Sequence, residues 1–222
     1  MYSKILLLWI YCLSFTGGMI NAVCVAHFAT TVSHFTGILS RFSIRLGTLD
    51  YGNMGSLIAL FLSFSGGGIL AGLIINKAEF DLKKRYGIIL LVVGSVLALV
   101  NALTAHRRFL FLVYLAFLMG LQNGLLPRYH GVVVRTTHMS GNLTDFGVYL
   151  GYFIRNPYDP VHLSRSLISF LNVVFFVAGG ACGIGLFPFF GRYFFYFVAL
   201  CYYGIAVFYF RIRSLYLRGY IF

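Results

Sequence analysis

A nearly unbroken apolar chain is interrupted by one strongly polar island, Arg135-Thr136-Thr137-His138-Met139-Ser140-Gly141-Asn142-Leu143-Thr144-Asp145. The β-branched run Val132-Val133-Val134 precedes it, and Phe146-Gly147-Val148-Tyr149-Leu150-Gly151 follows with helical character. A weaker copy stands at Ser33-His34-Phe35-Thr36-Gly37-Ile38-Leu39-Ser40-Arg41-Phe42. A shift of 104 positions superposes His34 on His138, Thr36 on Ser140, Gly37 on Gly141 and Gly47 on Gly151. Self-similarity at a fixed period signals an internal repeat.

The solvent for such a chain is lipid. Soluble domains carry about 25% charged residues, and this one carries 10%, with 60% hydrophobic residues and a mean hydropathy of +0.88. Spanning a bilayer core takes about 20 apolar residues. Long helices are expected over 4–27, 55–76, 86–105, 108–126, 166–190 and 192–211, with shorter ones over 36–48 and 140–154. Lys4 and the apolar run after it imitate a signal peptide, but no Ala-x-Ala site follows, so a first membrane helix is expected. The fold class is therefore all-α, as one membrane domain over 1–222. Two inverted repeats, 1–106 and 107–222, each contain a long helix, a polar island opening on an extended segment, a short helix and two further long helices.

Charge placement argues the topology. With the N-terminus inside, twelve Lys and Arg fall on the inner side, including Lys77, Lys83, Lys84, Arg85, Arg128 and Arg135. Five, Arg41, Arg45, Arg107, Arg108 and Arg192, do not. The positive-inside rule then favours six full crossings with both termini cytoplasmic. The net charge of +12 marks loops rather than a nucleic-acid face. Cys12, Cys24, Cys182 and Cys201 lie in apolar segments without CxxC spacing, so neither a disulfide frame nor a metal site is expected, and no cofactor is implied. The spacings Gly68-xxx-Gly72 and Gly179-xxx-Gly183 predict close helix packing in lipid. Glycine-rich faces also allow a homodimer. The Arg-flanked aromatics of 192–211 fit an interfacial belt.

Polar backbone at membrane depth is tolerated where it is buried in protein or lines a wet cavity. Thr36-Gly37 and Ser140-Gly141-Asn142 are expected to supply N-cap chemistry to the short helices. Helix N-termini at that depth suit an anion or a polar oxygen. The candidate substrate-binding residues are His34, Thr36, Gly37, Asn123, Thr137, His138, Ser140, Gly141 and Asn142. Either histidine could instead serve neighbouring backbone. Asn21, Gln122 and Asn123 could be interhelical glue or ligand contacts. Arg41 and Asp145 occupy equivalent repeat positions with opposite charges, which predicts a structural or gating ion pair.

Gly18-Met19-Ile20-Asn21-Ala22, Val32 to Gly37, Met119 to Gly124 and Val134 to Thr144 together resemble the YoaK-type family of bacterial integral membrane proteins, a domain of unknown function. The likeness covers most of the chain and implies a multi-pass protein of the bacterial inner membrane. The first copy departs from it. Asn21 stands where an acidic residue is usual, and Ile38 where Asn is usual. A small secondary transporter or channel for a polar or anionic solute is the expected function. A membrane scaffold or assembly factor is the alternative. With five carboxylates and no HExxH, Gly-x-Ser-x-Gly or paired aspartates, no enzyme is expected.

Overall fold

Residues 4–76, 79–126, 133 and 135–219 are described by a computed structural model. The helices run in order: α1 (Lys4–Phe28), α2 (Phe35–Gly47), α3 (Met54–Ile75), α4 (Tyr86–Leu103), α5 (Arg108–Gly124), α6 (Met139–Arg155), α7 (Pro160–Phe190) and α8 (Phe194–Leu217). A 3₁₀ turn, Gly191–Tyr193, joins the last two. No strand forms among the described residues. The expected extended segment before α2 is an irregular link, and Val132 and Val134 of the other lie outside those residues, as do Lys77 and Arg128. By length and composition α1, α3, α4 and the joined stretch Pro160–Leu217 can each cross a membrane, and α5 is a shorter apolar helix.

α7 begins at Pro160, earlier than the apolar pattern predicted, and the reason is local. Asp159 caps it by accepting a hydrogen bond from Val161 N at 2.9 Å, and Pro160 follows at the first helical position.

The helices pair through glycine. A Cβ at Gly18 of α1 would lie 2.0 Å from the Phe176 carbonyl oxygen of α7, and one at Gly179 would lie 1.9 Å from that of Phe15. The same reciprocity joins α3 to α5: Gly67 faces the Phe117 carbonyl at 2.0 Å, and Gly120 that of Phe64 at 1.9 Å. Four Phe-x-x-Gly stretches thus form two close crossings in which backbone meets backbone. Gly179 and Gly183 pack as expected, but Gly68 and Gly72 meet nothing within 4 Å. The tightest approach on α3 is at Gly67, while the small-xxx-small pair one residue further on has open space at its Cβ positions.

Residue pairings set the helix directions. Ser14 meets Asn172 and His27 meets Phe187, so α1 and α7 run parallel. Ser63 donates to Val113 O at 2.6 Å, and a Cβ at Gly124 would meet Ala71, so α3 and α5 run parallel. Gln122 donates to Leu13 O at 3.0 Å, while Arg108 shares a cavity with His27, so α5 runs against α1. α2 runs against α3, with Phe35 on Phe64 at 4.3 Å and Phe42 grouped with Leu57 and Phe61. α6 runs against α7, with Phe146 on Phe170 at 5.1 Å and Tyr152 on His162 at 5.4 Å. It follows that α2 and α6 point in opposite directions.

The core gathers Trp9, Phe80, Tyr86 and Tyr209. Trp9 Nε1 donates to Ile205 O at 3.0 Å, and the Tyr209 hydroxyl donates to Lys84 O at 2.8 Å. The expected aromatic belt on α8 is therefore divided. Tyr193 is exposed, whereas Phe194, Phe195, Tyr202 and Tyr209 are buried.

Candidate functional site

Two irregular links fold back to the middle of α7. After α1 the chain reverses at Ala29, a non-glycine residue with a left-handed φ of 53°. It then retraces α1. Asn21 Oδ1 accepts from Thr31 Oγ1 at 3.0 Å and Ser33 Oγ at 2.9 Å, and Thr31 Oγ1 accepts from the His34 amide at 3.0 Å. His34 ends the link with its ring edge-on to Phe176, 5.7 Å between centroids. Phe176 lies near mid-length of Pro160–Phe190.

The second link is held by more groups. Gln122 Nε2 donates to Thr136 Oγ1 at 2.8 Å, and its Oε1 accepts from the Tyr202 hydroxyl. Asn123 Nδ2 donates to Thr137 Oγ1 at 2.6 Å, while its Oδ1 accepts from Thr137 N at 3.1 Å. Asn142 Nδ2 donates to the carbonyls of Arg135 at 3.1 Å and His138 at 3.2 Å. The buried Asn172 of α7 donates to the same Arg135 carbonyl at 3.3 Å. Asn172 and Phe176 are one helical turn apart, about 6 Å along the axis at 1.5 Å per residue. Both links therefore end beside the same turn of α7.

His34 and His138 are the N-cap residues of α2 and α6, and neither makes a side-chain capping bond. This corrects the expected caps. Thr36-Gly37 and Ser140-Gly141-Asn142 lie inside the first helical turns, so their backbone is already helical, and a cap requires the non-helical residue before it. His34 lies in the link outside the long helices.

A cavity of about 260 Å³ opens at the start of α6 between Arg135, His138, Gly141, Asn142 and Asp145. A Cβ at Gly141 would fall 2.3 Å from His138 Nδ1, so the absent side chain gives the imidazole its seat. Asn142, Thr137 and Gln122 are buried, as is Asn21, and His34 and Asn123 are half-buried. Thr36, Gly37, His138 and Ser140 are exposed in the single chain.

Arg41 and Asp145 are not joined. The ion pairs among the described residues are Arg45 with Asp50 and Asp159 with His162. Each of the two charges stands seven residues beyond its histidine, on helices that run in opposite directions from one level, about 10 Å along each. Among the contributors that were not expected site residues, Arg135 and Thr136 lie within the island itself, Thr31 and Ser33 lie in the first link, and Asn172, Phe176 and Tyr202 come from helices whose sequence reads as plain apolar span.

Residues 9–208 match the family described as Protein of unknown function (DUF1275), which is the YoaK-type family that the sequence resembles. No curated protein and no solved structure matches the chain. With the match running over nearly its whole length, the chain belongs to the DUF1275 family.

Proposed function

We propose that the protein conducts a small polar or anionic solute across a membrane, through a site between the starts of α2 and α6. One observation carries this reading: two short helices begin behind His34 and His138, beside the same turn of α7, and run apart. At 13 residues α2 is about 20 Å long, too short for a hydrocarbon core of about 30 Å. Helix starts at mid-depth bring unpaired N–H groups and partial positive charge to a place where lipid offers no partner. Broken helices within inverted repeats bind substrates in this way. The reciprocal Phe and Gly crossings support two inverted repeats that exchange their long helices, α1 onto α7 and α5 onto α3.

Matched small residues extend from the histidines in both directions: Thr36, Ser40, Ser43 and Gly47 on α2, and Ser140, Thr144, Gly147 and Gly151 on α6. All eight are exposed in the single chain. They form the wall of the pathway, and a second copy laid over them would enclose it. The location that fits is a bacterial inner membrane, with both termini cytoplasmic. The island performs no covalent chemistry in this reading.

Flux into proteoliposomes tests it, with nitrate, formate, phosphate and urea as probes. At least one probe should enter faster than into protein-free vesicles, and His138→Ala or Asn142→Leu should abolish the excess while Gly72→Ala retains it. Flux equal to that of empty vesicles for every probe, or an excess untouched by both site variants, overturns the proposal.

A further inference from the structure

A second cavity lies away from His34 and His138, where α1, α4 and α7 finish and α5 and α8 begin. It encloses about 320 Å³, within the range of about 300–1,000 Å³ usual for small-ligand sites. Its polar lining is His27, Asn101, Thr104, Arg108 and Arg192, and its floor is aromatic, Phe111, Phe187 and Phe195 among them. No carboxylate lines it. The five carboxylates of the chain, Asp50, Glu79, Asp81, Asp145 and Asp159, all stand elsewhere.

None of the basic side chains that line it has a carboxylate partner among the described residues. The ring of His27 packs on Phe187 at 4.1 Å between centroids. The Arg192 guanidinium lies over the Tyr193 ring at 5.8 Å, and its backbone carbonyl accepts from Nδ2 of the buried Asn101 at 3.2 Å. Arg108 has no hydrogen bond or ion pair from its side chain among the described residues. It opens α5, whose N-cap Arg107 makes no side-chain capping bond.

We infer that this chamber binds a phosphate group, held between the guanidinium groups of Arg108 and Arg192. Guanidinium forks match phosphate oxygens through paired N–H bonds, and a site without a carboxylate leaves that demand to a ligand. Five helix termini converge on the chamber, which puts it at headgroup depth in a membrane-spanning bundle, so the phosphate can arrive on a lipid or free from solution. The inference is separate from conduction, since a protein that conducts nothing can still hold phosphate here.

The test uses the purified full chain in detergent. Inorganic phosphate is titrated by calorimetry, and native mass spectrometry scores retention of phosphatidylglycerol against phosphatidylcholine. Phosphate binding with no lipid preference assigns the free ion, and selective retention of phosphatidylglycerol assigns the headgroup. In either case the double variant R108A/R192A should lose at least tenfold in affinity or the lipid preference, with its melting temperature kept. Arg108→Lys should retain part of it. Absence of both signals in the wild type overturns the inference, and so does binding unchanged in the folded double variant. Should that variant not fold, Arg108→Gln alone supplies the comparison, because the exposed Arg108 side chain makes no contact on which the bundle depends.

Discussion

The imidazole of His34 stands edge-on to the ring of Phe176, with 5.7 Å between centroids, although 142 positions separate them in the chain. One turn earlier on the same helix, Asn172 donates to the carbonyl of Arg135. A single turn of α7 thereby receives both links, and that turn is also where Gly18 and Gly179 bring α1 against α7. Each prediction below tests part of this junction.

Close crossing is the first. Alanine at Gly18 or Gly179 would put a Cβ about 2 Å from a backbone carbonyl oxygen, which a side-chain rotation cannot relieve. Each variant should destabilise by about 1–3 kcal/mol, as overpacking does. Gly68→Ala and Gly72→Ala meet nothing within 4 Å and should stay within about 0.5 kcal/mol. Thermal melts of the four variants in one detergent check this, and equal losses at all four would sink it.

Gln122 binds three elements together through Leu13 O, Thr136 Oγ1 and the Tyr202 hydroxyl. Gln122→Leu leaves buried partners unsatisfied, at a cost of about 1–3 kcal/mol. Tyr202→Phe alone should cost less, and the double variant should cost less than the two losses added, because the Tyr202 hydroxyl is already orphaned once Gln122 is gone. A double-mutant cycle measured by chemical denaturation gives the answer, and strict additivity would show that the bond contributes nothing.

Gly141→Ala places its Cβ against the His138 ring. The ring can swing aside, so the bundle should melt near the wild-type temperature while solute flux falls at least tenfold. Gly37→Ala meets nothing within 4 Å and should conduct as wild type. Proteoliposome flux alongside a melt separates the two outcomes.

Much of the architecture was legible from local pattern. Apolar runs of membrane length set out the long helices, and the shift from His34 to His138 located both short ones to within a residue or two. Asn21, Gln122 and Asn123 stand out because an amide in an apolar run has to find a partner, and Asn142 stands out as part of the polar island. Other features depend on which residues meet across the bundle. Gly67 of α3 packs against the Phe117 carbonyl, while Gly68 and Gly72 have open space at their Cβ positions. Tyr202 reads as one more belt aromatic until Gln122 is placed opposite it. The Arg41 and Asp145 pairing failed because α2 and α6 run in opposite directions, which carries the two positions apart. The chamber around Arg108 and Arg192 joins segments more than 80 residues apart, which no local pattern can announce.

By itself, then, the order of residues determined where most of the helices form and which polar groups require company. Hydrophobic periodicity and backbone hydrogen bonding are local, so they can be read along the chain. Partner and direction were decided only by the tertiary structure, because close approach depends on two surfaces at once, and a glycine facing a carbonyl cannot be distinguished in sequence from a glycine facing outward.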